Sequence, residues 1–337
     1  MATVMTRVWI ATAITAVAAA GVAARSTVSS VEYRQVLRLP SVVNGQSLYS
    51  FAHDPVDNRL YAANQQGLFW VDLAEPDARV KGPLIRERIT SIEVAPDTGR
   101  LFYTTMDEVG MVKLRTNDPP VRIAGHEWRT ARFAYEPTRR QMYLATRDGR
   151  VRVFDAETGE RATDVTVPGE FANMLEAIPG KVFFSLNNKS GLYAIDAETK
   201  TVSEWPVEGP LVTPAYLDAD PEGTYLFATY DRFVVVIDVA SRKVIHRLAT
   251  AVGGRIAYDA TRRQLITAEF AEAGQPRVEL RAYAVGPDGL TWVSDLDNPR
   301  DGQIGLESLR TGGFLQSGRL SLLVWAPVAG SGPGALH

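Results

Sequence analysis

The sequence predicts an all-β fold, a β-propeller of seven blades with four antiparallel strands each, closed by an N-terminal strand. Three observations predict it. A unit of about 40 residues recurs along the chain, the signature of stacked units that cannot bury their apolar faces alone. Pro-, Asp- and Gly-bearing reversals separate short apolar strands within each unit. Helical periodicity is nearly absent after the N-terminal segment.

Taken in order, the chain opens with Arg7, an apolar run from Val8 to Ala20, and the small residues Gly21 to Ala24. That order of basic, apolar and small-residue regions predicts a secretory signal over residues 1–24. The apolar run, counted through Ala23, is about 16 residues, whereas a spanning helix needs roughly 20. A cleaved signal and an exported, periplasmic or extracellular protein are therefore expected, with a retained N-terminal membrane anchor as the alternative. Val31 to Pro40 alternates as a single strand ahead of the first full repeat. Such an orphan strand suits pairing with the last blade, which removes an open edge.

The repeat copies follow at Arg59–Asn64, Arg100–Thr104, Gln141–Thr146, Lys181–Ser185, Thr224–Thr229, Gln264–Ala268 and, more weakly, Arg319–Leu323. The fullest copy shows four strand signals: Arg132–Tyr135, Gln141–Thr146, Val151–Asp155 and Ala162–Val167. The reversals Glu136–Arg139, Arg147–Gly149 and Glu157–Gly159 lie between them. Ala271 to Pro276 reads as a loop insertion, and Asp295 to Ile304 as a polar excursion over a rim. The last blade is irregular, so a six-bladed ring with an unusual closing segment is the alternative. One propeller domain is expected over 31–328, followed by a Gly/Ser/Pro-rich flexible tail over 329–337.

Composition narrows the function classes. Apolar residues at 45% and charged residues at 22% describe a folded chain. A net charge of -3 offers no basic footprint for nucleic acid. The absence of cysteine excludes disulfides, thiolate metal sites, cysteine nucleophiles and covalent haem attachment.

Leu60–Asn64 with Leu68–Asp72, Met142–Thr146 with Val151–Asp155, and the run Val234–Val244 resemble the YVTN-type β-propeller repeat family. The resemblance covers nearly the whole chain after about residue 31. It implies an exported bacterial seven-bladed propeller that binds ligands or partners. Related propellers serve as subunits of periplasmic amine dehydrogenases, and others, the lactonase and strictosidine-synthase-like propellers, are enzymes. Fold alone does not choose among these.

The innermost strand of each blade is expected to line a central channel. Alternation there puts Ser91, Glu93, Arg132, Met174, Glu176, Tyr216, Asp218 and Arg255 on one face. Phe51, Ile92, Val94, Phe133, Tyr135, Leu175, Leu217, Ile256 and Tyr258 fall on the other. The functional reading gives Glu93, Glu176 and Asp218 a cation or a general-base role, and Arg132 and Arg255 an anionic ligand, with Tyr216 beside them. The structural reading is an ion-pair network that solvates the channel. The lactonase-like propellers hold a divalent metal with an acidic and asparagine set. Here only Asn173 neighbours the aligned positions, which speaks against a lactonase.

His53, His126, His246 and His337 form no metal-ligand spacing. His126 and Trp128, in the loop just before an innermost strand, are candidate rim contacts for a ligand. No cofactor is identified. A divalent cation on the acidic set is the one option left open. The sequence therefore predicts a binding or interaction module that takes a small molecule or protein at the channel mouth and one rim. A propeller enzyme and a non-catalytic subunit of a periplasmic redox complex are the alternatives.

Overall fold

The computed structural model describes residues 34–35, 50–72, 75, 80–125, 132–170, 172–186, 189–207, 214, 216–230, 233–249, 255–259, 263–270, 278–296 and 321–322. The segments expected as a secretory signal, 1–24, and as a flexible tail, 329–337, lie outside these residues. Among the described residues there is no helix, and six sheets carry four antiparallel strands each in simple sequence order. The first strands of these six blades are Ser50–Asp54, Ser91–Ala95, Arg132–Glu136, Ala172–Ile178, Tyr216–Ala219 and Arg255–Asp259. Blade 3, the fullest repeat in the sequence, continues with Gln141–Ala145, Arg150–Asp155 and Arg161–Thr166. Blade 6 ends on a strand Gly289–Leu296 that takes in Asp295, where the sequence suggested the start of a rim excursion, and the rest of that segment, 297–304, lies outside the described residues.

First strands of consecutive blades pack on one another, which makes them the innermost. Burial peaks on the second strands and falls off toward the fourth. The second strand of blade 1, Arg59–Asn64, is buried at all but its first residue, and the second strand of blade 5, Tyr225–Tyr230, throughout. The fourth strands are mostly open, as Val121–Gly125 and Arg161–Thr166 show. This gradient explains why the middle strands read as continuous apolar runs, since both of their faces are covered.

Each blade contributes its two faces to two different cores. Tyr143, Ala145, Val151 and Val153 of blade 3 pack with Leu175, Val182 and Phe184 of blade 4. The intervening Met142, Leu144 and Phe154 pack with Phe102, Val109 and Met111 of blade 2. The same alternation joins blades 1 and 2, blades 4 and 5, and blades 5 and 6. Period-two alternation is thus converted into blade stacking.

Turns repeat as regularly as strands. The residue that ends the first reversal is in the left-handed region in blade after blade: Asn58, Gly99, Arg140, Gly180, Gly223 and Arg263. Glycine suits that position and arginine is strained there. This side of the stack is stitched across blades. Arg115 of blade 2 reaches Asp54 and Asp57 of blade 1 at 3.1 and 3.0 Å. Arg140 of blade 3 meets Asp97 of blade 2 at 3.1 Å, and Arg139 meets Glu198 of blade 4 at 2.8 Å.

The orphan N-terminal strand does find the far end of the chain. Arg34–Gln35 pairs with Ser321–Leu322, as expected for a strand that ties the two ends, and the pairing is parallel where every other described pair is antiparallel.

Candidate functional site

The innermost strands can be superposed on their pairing with the second strands. Their third positions are then Ala52, Glu93, Ala134, Glu176, Asp218 and Ala257, and their fifth positions include Asp54, Glu136 and Asp220. The two faces separate as the sequence predicted, but their directions differ from expectation. The apolar face packs on the preceding blade: Ile92 and Val94 on blade 1, Phe133 on blade 2, Leu175 on blade 3, Leu217 on blade 4, and Ile256 with Tyr258 on blade 5. The polar face turns toward the following blade rather than simply into a bore. Asp218 shows this directly, because its Oδ2 accepts the Tyr258 N–H of blade 6 at 2.7 Å. Ser50 does the same in blade 1, its Oγ accepting the Ile92 N–H at 3.1 Å.

Glu93, Glu176 and Asp218 are half-buried, each keeping some open surface while protein hems it in on nearly every side. Burial pushes Glu93 up to about 8, against the pull of a hydrogen bond from the Val94 backbone. Burial likewise pushes Asp218 up to about 7, although the Tyr258 and Ala219 N–H groups favour its anion. Glu176 is held well above the usual carboxylate range, first by burial and then by the charges of Asp218 and Glu93. Glu176 therefore sits between two like charges, one on the next blade and one two blades back, with only Ala134 at that level in the blade between. The three carboxyls form one layer in which burial, and at Glu176 like charge as well, favour the protonated forms.

The remaining candidates distribute unevenly. Arg132 is exposed and forms no ion pair among the described residues. Tyr216 is half-buried against the core between blades 5 and 6. Arg255 lies in its expected strand, but its side chain is outside the described residues, as are His126 and Trp128. Among the described residues no three His, Asp or Glu side chains stand close enough to hold a metal ion.

Two features escaped the sequence reading. The fifth-position carboxylates are fully buried turn caps: Asp54 and Glu136 are 0% exposed and Asp220 is 1%. Glu136 alone accepts the N–H groups of Thr138, Arg139 and, across to blade 4, Gly180, each within 3.0 Å. Its place before a proline in a reversal was the available signal. The second is an arginine-rich junction between blades 2 and 3, where Arg152 donates to the Gly125 carbonyl at 3.0 Å. The alternation Arg150-Val151-Arg152-Val153 puts both arginines on one face, but nothing local reveals that the face meets blade 2.

No family model and no curated protein matches the chain. Solved structures do. The mitotic checkpoint complex structure aligns with TM-score 0.60 at 12% identity, over 76% of this chain and 79% of that one. The structure of U3-55K aligns with TM-score 0.58 at 11% identity, over 74% and 82%. The RRP9 WD40 repeats align with TM-score 0.58 at 11% identity, over 74% and 81%. At such identities the likeness is one of fold alone, and with the six ordered sheets it establishes that this chain folds as a β-propeller built of repeats.

Proposed function

We propose that this chain is an exported β-propeller of the YVTN type that works as a binding and interaction module through the mouth of its ring and one rim. The observation that carries the reading is the contrast between the two carboxylate sets on the innermost strands. The fifth-position set is consumed by turn backbone, whereas Glu176 has no hydrogen-bond donor among the described residues. Polar groups held without structural partners are the groups that ligands satisfy. The structures that share the fold include a component of a checkpoint complex, which supports an assembly role for such a ring. The N-terminal segment supports export, and the pairing of Arg34–Gln35 with Ser321–Leu322, beyond the six four-stranded sheets, supports a seventh blade.

The test joins location to binding. Full-length chain produced in a bacterial host should be recovered outside the cytoplasm, shortened near Ala23 or Ala24. Recovery of the full-length chain in the cytoplasm would overturn export. A partner recovered with the exported chain should be lost on Arg132→Glu while the far-ultraviolet spectrum stays unchanged, and retention of the partner would remove Arg132 and its rim from the binding surface.

One observation favours a second reading. Carboxyls pushed up to about 8 and about 7 can give and take protons at neutral pH, as an acid–base enzyme requires. A metal-dependent version predicts a rise in melting temperature with calcium or magnesium. No rise with either ion would leave the carboxyls to proton transfer or binding alone.

A further inference from the structure

The junction of blades 2 and 3 holds a guanidinium that is only partly used. Arg152 lies on the third strand of blade 3 and is sunk between the blades, with 13% of its side chain exposed. Its Nη1 donates to the carbonyl of Gly125, the last residue of the fourth strand of blade 2. Its Nη2 stands 3.6 Å from the Asp148 carboxylate, a loose pair, and its Nε is buried with no acceptor among the described residues. Asp148 does not close the gap, because its other oxygen is engaged by the Thr146 hydroxyl. Nε and Nη2 form the side-on edge of a guanidinium, the edge whose two parallel N–H groups match the two oxygens of a carboxylate or phosphate. A buried N–H without an acceptor is destabilising, so an arriving oxyanion gains by filling it.

A second arginine stands beside the first. Arg122 is 63% exposed and pairs with Glu108 at 3.2 Å. Its Nη2 lies 3.8 Å from where a side chain on Gly125 would begin, so Arg122 and Arg152 flank the same glycine. Arg150 and Arg161 are drawn off by Asp164, which both contact. Counting Arg122, Arg150, Arg152 and Arg161 against Glu108, Asp148 and Asp164 leaves one positive charge in excess at the junction.

We propose that the Nε–Nη2 edge of Arg152, with Arg122 beside it, is an oxyanion site at the rim between blades 2 and 3 that takes a carboxylate or phosphate group. The site deepens the rim-binding reading but stands apart from the carboxylate layer, so either can fail alone. A partner's acidic segment and a free phosphate present the same chemistry, and the experiment separates them.

Purified protein is titrated with inorganic phosphate and, separately, with a short polyglutamate peptide, at ionic strength matched with sodium chloride. Melting temperature and calorimetry are the readouts. The expected result is a saturable rise in melting temperature with at least one probe. Arg152→Met and Arg152→Lys should each weaken binding on the order of tenfold, the lysine because it keeps the charge and loses the fork. Tighter binding of polyglutamate assigns the site to an acidic segment, and tighter binding of phosphate to a small anion. Arg122→Met, at an exposed position, carries the test if the Arg152 variants do not fold, and Arg242→Met in blade 5 should bind as the parent does. No saturable response to either probe overturns the site, as does binding unchanged in every folded Arg152 and Arg122 variant.

Discussion

Two sets of carboxylates occupy the innermost strands at levels two residues apart, sharing a blade only at Asp218 and Asp220, and their fates are opposite. Asp54, Glu136 and Asp220, at the fifth position, meet a reversal that presents backbone N–H groups, and burial is offset by hydrogen bonds to Val56, to Thr138, Arg139 and Gly180, and to Tyr225. Glu93, Glu176 and Asp218, at the third position, meet a neighbouring blade and one another. The comparison teaches that burial by itself says little about the role of an acid in this fold. What matters is whether a turn or another carboxyl stands in front of it.

The largest effect expected from breaking the comparison is at Glu136. Glu136→Ala strands the Thr138, Arg139 and Gly180 N–H groups together and should lower stability by about 3 kcal/mol or more in urea unfolding. A loss near zero would show that water replaces the cap.

The third-position set should behave in the opposite sense, and pH sharpens the contrast. In the unfolded chain these carboxyls titrate near their ordinary values of 4.5 and 3.8, whereas in the folded protein Glu93 and Asp218 titrate near 8 and 7. Between these limits the folded state binds more protons. The stability they contribute is therefore complete below about pH 4 and is lost as pH rises through 7 to 8. Equilibrium unfolding across that range should show this decline in the parent and a shallower one in Glu176→Gln. Parallel slopes would separate Glu176 from the layer.

At pH 8 alone, Glu176→Gln should raise the melting temperature by about 2–4 °C, the response to about 1 kcal/mol in a domain of this size. A fall of that size would mean that the Glu176 carboxylate has a donor it depends on.

The smallest effect concerns the turn that Glu136 caps. Arg140 is held at φ 51°, where glycine is unstrained, but it also pairs with Asp97. Arg140→Gly should gain about 1 kcal/mol from the backbone and lose up to about 1 kcal/mol from the exposed ion pair, for a net change between zero and a gain of about 1 kcal/mol. A clear loss would make the Arg140–Asp97 pair a structural link between blades 2 and 3.

Much of the fold could be read in the sequence because blade formation is local. Arg59–Asn64 and Gly67–Asp72 adjoin in the chain, and their reversal is written in two polar residues, Gln65 and Gln66. The alternation of the first strands also predicted the face that carries Glu93, Glu176 and Asp218. What alternation could not give was direction, because a strand between two blades has a neighbour on each side. The influence of Glu93 on Glu176 crosses a whole blade, past Ala134 at the same level, and such a reach is not written in either strand. The hold of Arg152 on Gly125 depends on how blade 3 stacks on blade 2, which no short window of sequence contains.

The parallel pairing of Arg34–Gln35 with Ser321–Leu322 also sets an order of events. Neighbouring strands within a blade can pair as soon as both have emerged, but the first strand of this chain has to wait for the last. A chain threaded through a membrane N-terminus first would carry its opening strand without this partner until almost the whole polypeptide had followed. Closing so long a loop is slow in the way that non-local pairing is slow. In a chain exported as proposed, the ring would therefore be completed after transit rather than during it, and until then the unpaired strand would remain open to any helper that recognises an exposed edge.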